Sequence, residues 1–79
     1  MMSGPAAPFR VQIEQIKNGI KFTARGTIDK TIRSQVVAAL RRVKKKKWLI
    51  GGKHANFKRV VKYILRELRA KSSATVFYK

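Results

Sequence analysis

Acidic side chains are almost missing from this chain. Glu14, Asp29 and Glu67 are the only three in 79 residues, beside one histidine and no cysteine. Without cysteine there are neither disulfides nor thiolate metal sites. A single imidazole, His54, rules out a metal centre built from several histidines. General acid–base chemistry needs a positioned partner for its proton-transfer group, and none lies near His54 in the sequence. The chain therefore reads as a non-enzyme, with no cofactor, no metal and no small-molecule substrate. Long apolar runs are missing too, the longest being far below the ~20 residues of a membrane-spanning helix. Met1 to Pro8 (MMSGPAAP) lacks the charged start and apolar centre of a secretory signal, so residues 1–8 are expected to be a flexible leader to one domain over residues 9–79. A cytoplasmic or organellar-matrix location is expected rather than secretion, with nucleus and virion left open.

Positive charge is what the chain has in excess. Twenty Lys and Arg against three acids give a formal net charge of +17, yet 44% of the residues are apolar. That apolar share is ordinary for a globular protein and too high for a disordered basic tail. The charge therefore decorates a fold. So small a domain buries only about 60–65% of its unfolded surface, and self-repulsion at this charge penalises the compact state. A polyanion would relieve it, nucleic acid being the commonest and an anionic membrane the next.

Charge is densest in Arg41–Lys53, RRVKKKKWLIGGK, where seven of thirteen residues are cationic and none acidic. Unpaired ammonium groups cannot be buried cheaply, so this run must lie on the surface, tied to a core by Trp48, Leu49 and Ile50. Two or three of the cations suit the C-terminal end of a helix dipole; the rest exceed that need. Trp48 itself reads as a buried anchor rather than a stacking platform.

Local periodicities outline the fold. Asn18-Gly19 is the preferred pair for a type I′ turn, which would pair Lys17 with Ile20, Gln15 with Phe22, Ile13 with Ala24 and Val11 with Gly26. One face of that hairpin holds Phe9, Val11, Ile13, Ile20, Phe22 and Ala24. The other holds Arg10, Gln12, Glu14, Lys21, Thr23 and Arg25, with Ile16 the exception. Asp29 is the expected cap of a first helix, whose stripe is Ile32, Val36, Ala39, Leu40 and Val43. This helix either stops near Lys46, making Trp48–Ile50 a short strand, or runs on to Ile50; the strand is preferred. Asn56 is expected to cap a second helix, Phe57 to Ala70, with Phe57, Val60, Val61, Ile64, Leu65 and Leu68 inward. Arg59, Lys62 and Arg66 line its far side with Tyr63 beside them, and Glu67 can pair with Lys71 one turn on. Ala74 to Lys79 then alternates as a terminal strand. The expected class is α+β, in the order β-β-α-(β)-α-β, with both helices packed on one face of the sheet and the other face left open.

Ile50-Gly51-Gly52-Lys53-His54 is the most specific local signal. Glycines admit a close backbone approach, Lys53 adds charge, and a following helix N-terminus would favour a phosphate. The plain alternative is a turn. Residues Ile50 to Val60 (IGGKHANFKRV) resemble the core signature of KH domains, which implies a glycine loop clamping nucleotide backbone between two helices; His54 stands where that loop normally has glycine. The longer stretch KWLIGGKHANFKRVVKYIL is also similar to the first strand and helix of the Alba chromatin and RNA-binding family, which implies a nucleic-acid contact at Lys53.

The expected function is that of an RNA-binding structural protein, a ribosomal or ribonucleoprotein component. Its phosphate-contacting residues would be Arg41, Arg42, Lys44, Lys45, Lys46, Lys47, Gly51, Gly52, Lys53, His54, Lys58, Arg59, Lys62 and Arg66. The partners are nucleic acid, RNA over DNA, and other proteins of a larger assembly, with no membrane, because both helices spend their apolar stripe on the core. The alternative is a DNA-binding architectural, chromatin or virion-packaging protein using the same charges.

Overall fold

Alternating apolar residues build the centre of the molecule before any helix is considered. In the terminal strand Ser73–Tyr78, the side chains of Ala74, Val76 and Tyr78 are buried while Phe77 is exposed. In this computed structural model, which describes residues 8–43 and 47–79, that strand is the middle of five. The chain runs β1 (Arg10–Ile16), β2 (Gly19–Arg25), α1 (Ile32–Arg42), β3 (Trp48–Ile50), β4 (Lys53–Ala55), α2 (Phe57–Lys71) and β5 (Ser73–Tyr78). The strands lie in the order β1-β2-β5-β3-β4, every neighbouring pair antiparallel. The expected leader, except Pro8, lies outside the described residues, as do Lys44, Lys45 and Lys46.

Both helices cover the same face of the sheet, as the α+β reading expects. Phe22, Ala24, Trp48, Val76 and Tyr78 from the strands share one core with Val36 and Leu40 of α1 and Val60, Ile64 and Leu68 of α2. Trp48 is only 2% exposed. It packs edge-on against Phe22, with ring centroids 5.7 Å apart, and against Tyr78 at 4.9 Å, so it is a core anchor. Burial pushes the Tyr78 phenol up from its ordinary range. No helix among the described residues is long and apolar enough to cross a membrane.

Local signals at α2 behave as expected. The Asn56 side chain accepts from the Arg59 backbone N–H at 2.8 Å, satisfying one of the amides a helix start leaves unpaired. Ser72 ends the helix in the left-handed region at φ 62°. Glu67 pairs with Lys71 at 3.0 Å, and that contact raises the Lys71 pKa. The inward stripe is Val60, Val61, Ile64 and Leu68, with Leu65 half-buried. Phe57, expected in that stripe, is 38% exposed, because it occupies the first turn, at the margin of the covered face.

Four details depart from expectation. The first hairpin pairs Ile16 with Gly19, Gln15 with Ile20 and Ile13 with Phe22, so the loop is Lys17-Asn18 and not Asn18-Gly19. Each β2 residue thus faces a β1 residue two positions earlier than the type I′ register would give. Faces survive because the side-chain period is also two, although Ile13, on the edge strand, remains 46% exposed. Gly19 is needed elsewhere: a Cβ there would come within 2.3 Å of the Tyr78 carbonyl oxygen, and its φ is 152°. A second departure is that α1 begins later, with Thr31 at the cap position. Asp29 tightens the turn before it, its Oδ1 accepting from both the N–H and the hydroxyl of Thr31 at 2.8 Å. The Thr31 hydroxyl and backbone bonds hold the Asp29 carboxyl below its usual range. Third, α1 stops at Arg42, with Val43 already extended, short of the end expected near Lys46. Finally, β4 is an added strand, joined to β3 by a turn in which Gly51 and Gly52 have φ 58° and 81°. Both values lie in the left-handed region that a type I′ hairpin turn demands.

Candidate nucleic-acid interface

A cationic site among the described residues is built by α2 and the end of β3. Residues three and four apart share one face of a helix, so Arg59, Lys62 and Arg66 form a column on the exposed side of α2, with the half-buried Tyr63 between that column and the core. Ile50, half-buried at the end of β3, closes the inner wall. Together these five line an open cleft of about 220 Å³. Lys53 is the register partner of Ile50, and antiparallel partners project to the same face, so its exposed side chain adds a cation on the same side of the sheet without lining the cleft itself.

Electrostatics make this column costly without a partner. Like charges at i,i+3 and i,i+4 each destabilise a helix by about 0.2–0.5 kcal/mol. Lys58–Lys62, Arg59–Lys62, Lys62–Arg66 and Arg66–Arg69 are four such pairs, or about 1–2 kcal/mol in all. The first turn of α2 has no acid, so Lys58 and Arg59 add their charge to the positive end of the helix dipole. Among the described residues the only ion pair is Glu67–Lys71, which leaves Arg59, Lys62, Arg66 and Lys53 without an acidic partner. Among the described residues, no acid, thiol or imidazole lines the cleft.

The other sequence-predicted site residues fall elsewhere. Alternation along β4 sends Lys53 toward the helix-covered side and His54 to the opposite face, where its register partner is Leu49. Gly51 and Gly52 sit at the exposed tip of the β3–β4 hairpin, with nothing within 4 Å of a Cβ built on either. They are separated from α2 by β4 and Asn56, so they do not open directly onto a helix N-terminus. Nor do they join two helices, as the resemblance to KH domains implied. Arg41 and Arg42 are exposed in the last turn of α1. Arg42 borders a separate depression of about 290 Å³ between α1 and β1, with Phe9, Val11 and Gln35. Lys47 is exposed, and its carbonyl accepts from the Lys79 N–H at 3.2 Å, extending the β3–β5 ladder by one bond. Lys44, Lys45 and Lys46 lie outside the described residues.

Sequence reasoning placed the α2 column correctly on one face but missed Ile50 as its wall. That role depends on β3 lying beside α2, which no local pattern reports. It also passed over Phe77, although the strict alternation of Ala74 to Tyr78 already set it opposite the core residues. Among the described residues, no cluster of three His, Cys, Asp or Glu side chains could hold a metal ion. No protein-family model, curated protein or solved structure matches the chain.

Proposed function

We propose that this domain binds nucleic acid through the phosphate backbone, RNA in preference to DNA, as a structural component of a ribonucleoprotein. The observation that carries this reading is the gathering of Arg59, Lys62 and Arg66 on one cleft with no acid among its described lining, with Lys53 projecting to the same side of the sheet. Arginine supplies two-pronged contacts to phosphate oxygens and lysine a mobile point charge. RNA is preferred because the cations are spread over α1, the β3–β4 hairpin and α2. A folded RNA presents phosphates from several directions, whereas a straight DNA duplex presents them along one line. Lys44–Lys47 add four charges between α1 and β3, and a cytoplasmic or organellar-matrix location goes with this role.

The test is binding to RNA hairpins and to DNA duplexes of equal charge across a salt series. The logarithm of affinity should fall with the logarithm of salt by about 0.7–0.9 per phosphate contact. Replacing Arg59, Lys62 and Arg66 together by glutamine should reduce that slope by about 2–3, with the circular dichroism spectrum unchanged. A binding constant indifferent to salt would refute the phosphate grip. DNA bound as well as or better than RNA would favour the packaging alternative.

A further inference from the structure

The face of the sheet opposite the helices carries an aromatic side chain at its centre. Phe77 lies on β5, the middle strand, and is 40% exposed. An exposed phenyl ring keeps apolar surface in water, yet no element of the described chain covers it. Strand register sets its neighbours: Glu14, Lys21, Phe77, Leu49 and His54 form one row across all five strands. One row along lie Thr23 and Thr75, and beyond them Arg25 faces both Arg10 and Ser73. Gly19, two residues from Lys21 on the same face, has no side chain to shield the ring.

We propose that this open face holds unpaired bases of a single-stranded nucleic acid, with one base stacked on Phe77. The inference rests on the nucleic-acid reading above and adds to it the class of strand. A phenyl ring offers a π-face on which any base can stack, and stacking platforms of this kind are usually set in a cationic surround. Here Lys21, Arg10 and Arg25 provide that surround, and Glu14 on the edge strand is the one acid. The hydroxyls of Thr23 and Thr75 can both donate and accept, as base edges require. A duplex cannot use the ring, because its base faces are already stacked on one another. A second copy of this chain is a poor occupant, since each copy brings a formal charge of +17.

Three polyanions matched in charge separate the possibilities: oligouridylate, duplex RNA and inorganic polyphosphate. Phe77→Ala should weaken oligouridylate binding by roughly five- to 150-fold, the span of base–aromatic stacking. It should leave duplex and polyphosphate binding unchanged, and Phe77→Tyr or Phe77→Trp should restore oligouridylate binding. In the wild-type protein, saturating oligouridylate should move the Phe77 ring-proton resonances upfield. Unchanged oligouridylate binding in Phe77→Ala would overturn the proposal, and so would an equal loss for all three polyanions. A wild-type dimer in sedimentation that Phe77→Ala dissociates would overturn it in favour of self-association. If polyphosphate and oligouridylate bind alike and both depend only on Arg59, Lys62 and Arg66, stacking fails while the phosphate grip stands. Wild-type protein that binds no polyanion would sink both.

Discussion

The two hairpins of this domain each carry a glycine that invites a turn assignment, and they use it for different reasons. In β3–β4 the glycines are local: both have positive φ, and a side chain on either would meet nothing within 4 Å. In β1–β2 the glycine is tertiary. Gly19 sits just after the turn, inside β2, because β5 passes so close that only a hydrogen fits against the Tyr78 carbonyl. A pair such as Asn18-Gly19 thus marks a place where chirality or bulk is excluded, without saying which.

Substitutions at the two glycines should separate these causes most sharply. Gly19→Ala sets a methyl group against backbone and holds an L-residue at positive φ. It should cost about 2–4 kcal/mol, combining overpacking with left-handed strain, read as a lowered urea midpoint. A loss under about 2 kcal/mol, no more than the strain alone, would show that the close approach to β5 does not set the register. Gly51→Ala should cost only the conformational part, about 1–2 kcal/mol. Gly51→Asn should recover most of it, because asparagine tolerates the left-handed region. Were asparagine no better than alanine, the type I′ assignment of that turn would be in error.

Smaller effects compare the tips as binding elements. Lys53 follows the second turn and pairs in register with Ile50 of the cationic cleft, whereas Lys17 lies in the first turn, on the far hairpin. Lys53→Gln should lower the salt slope of RNA binding by about 0.7–0.9, and Lys17→Gln by less than half of that. Equal effects would move the interface onto the first hairpin. The smallest expected change lies between that hairpin and α1. The Asp29 carboxyl is held below its usual range by its bonds to Thr31. Because the folded-state pKa is the lower one, this bond adds stability above the unfolded value of about 3.9. That increment fades as pH falls through the folded value. Urea midpoints measured from pH 6 downward should therefore show a slight acid-side loss that Asp29→Asn removes. An unaltered profile in that variant would assign the loss to other groups.

Comparing expectation with structure element by element shows where local information ends. The second helix was legible almost to the residue, because a polar cap, a four-residue spacing of Val60, Ile64 and Leu68, and the Glu67–Lys71 pair all act within one segment. The short β4 was not. Lys53-His54-Ala55 has no apolar alternation of its own, and it is a strand only because β3 offers it an unpaired edge. Phe57 misled for a related reason: the helical stripe continues through it, but the sheet beneath does not extend that far.

For the interface the division is similar. Composition and spacing alone determined that the chain is a folded, strongly basic α+β domain, which strand faces are apolar, and that Arg59, Lys62 and Arg66 share one side of a helix. Those properties follow from side-chain chemistry and from the periods of 2 and 3.6, which need no knowledge of distant residues. Tertiary structure decided the rest: which register the first hairpin takes, that Ile50 walls the cleft, and that Phe77 is left in the open at the centre of the sheet. Each of these depends on which strand lies next to which, and strand order is set by packing between segments far apart in the chain.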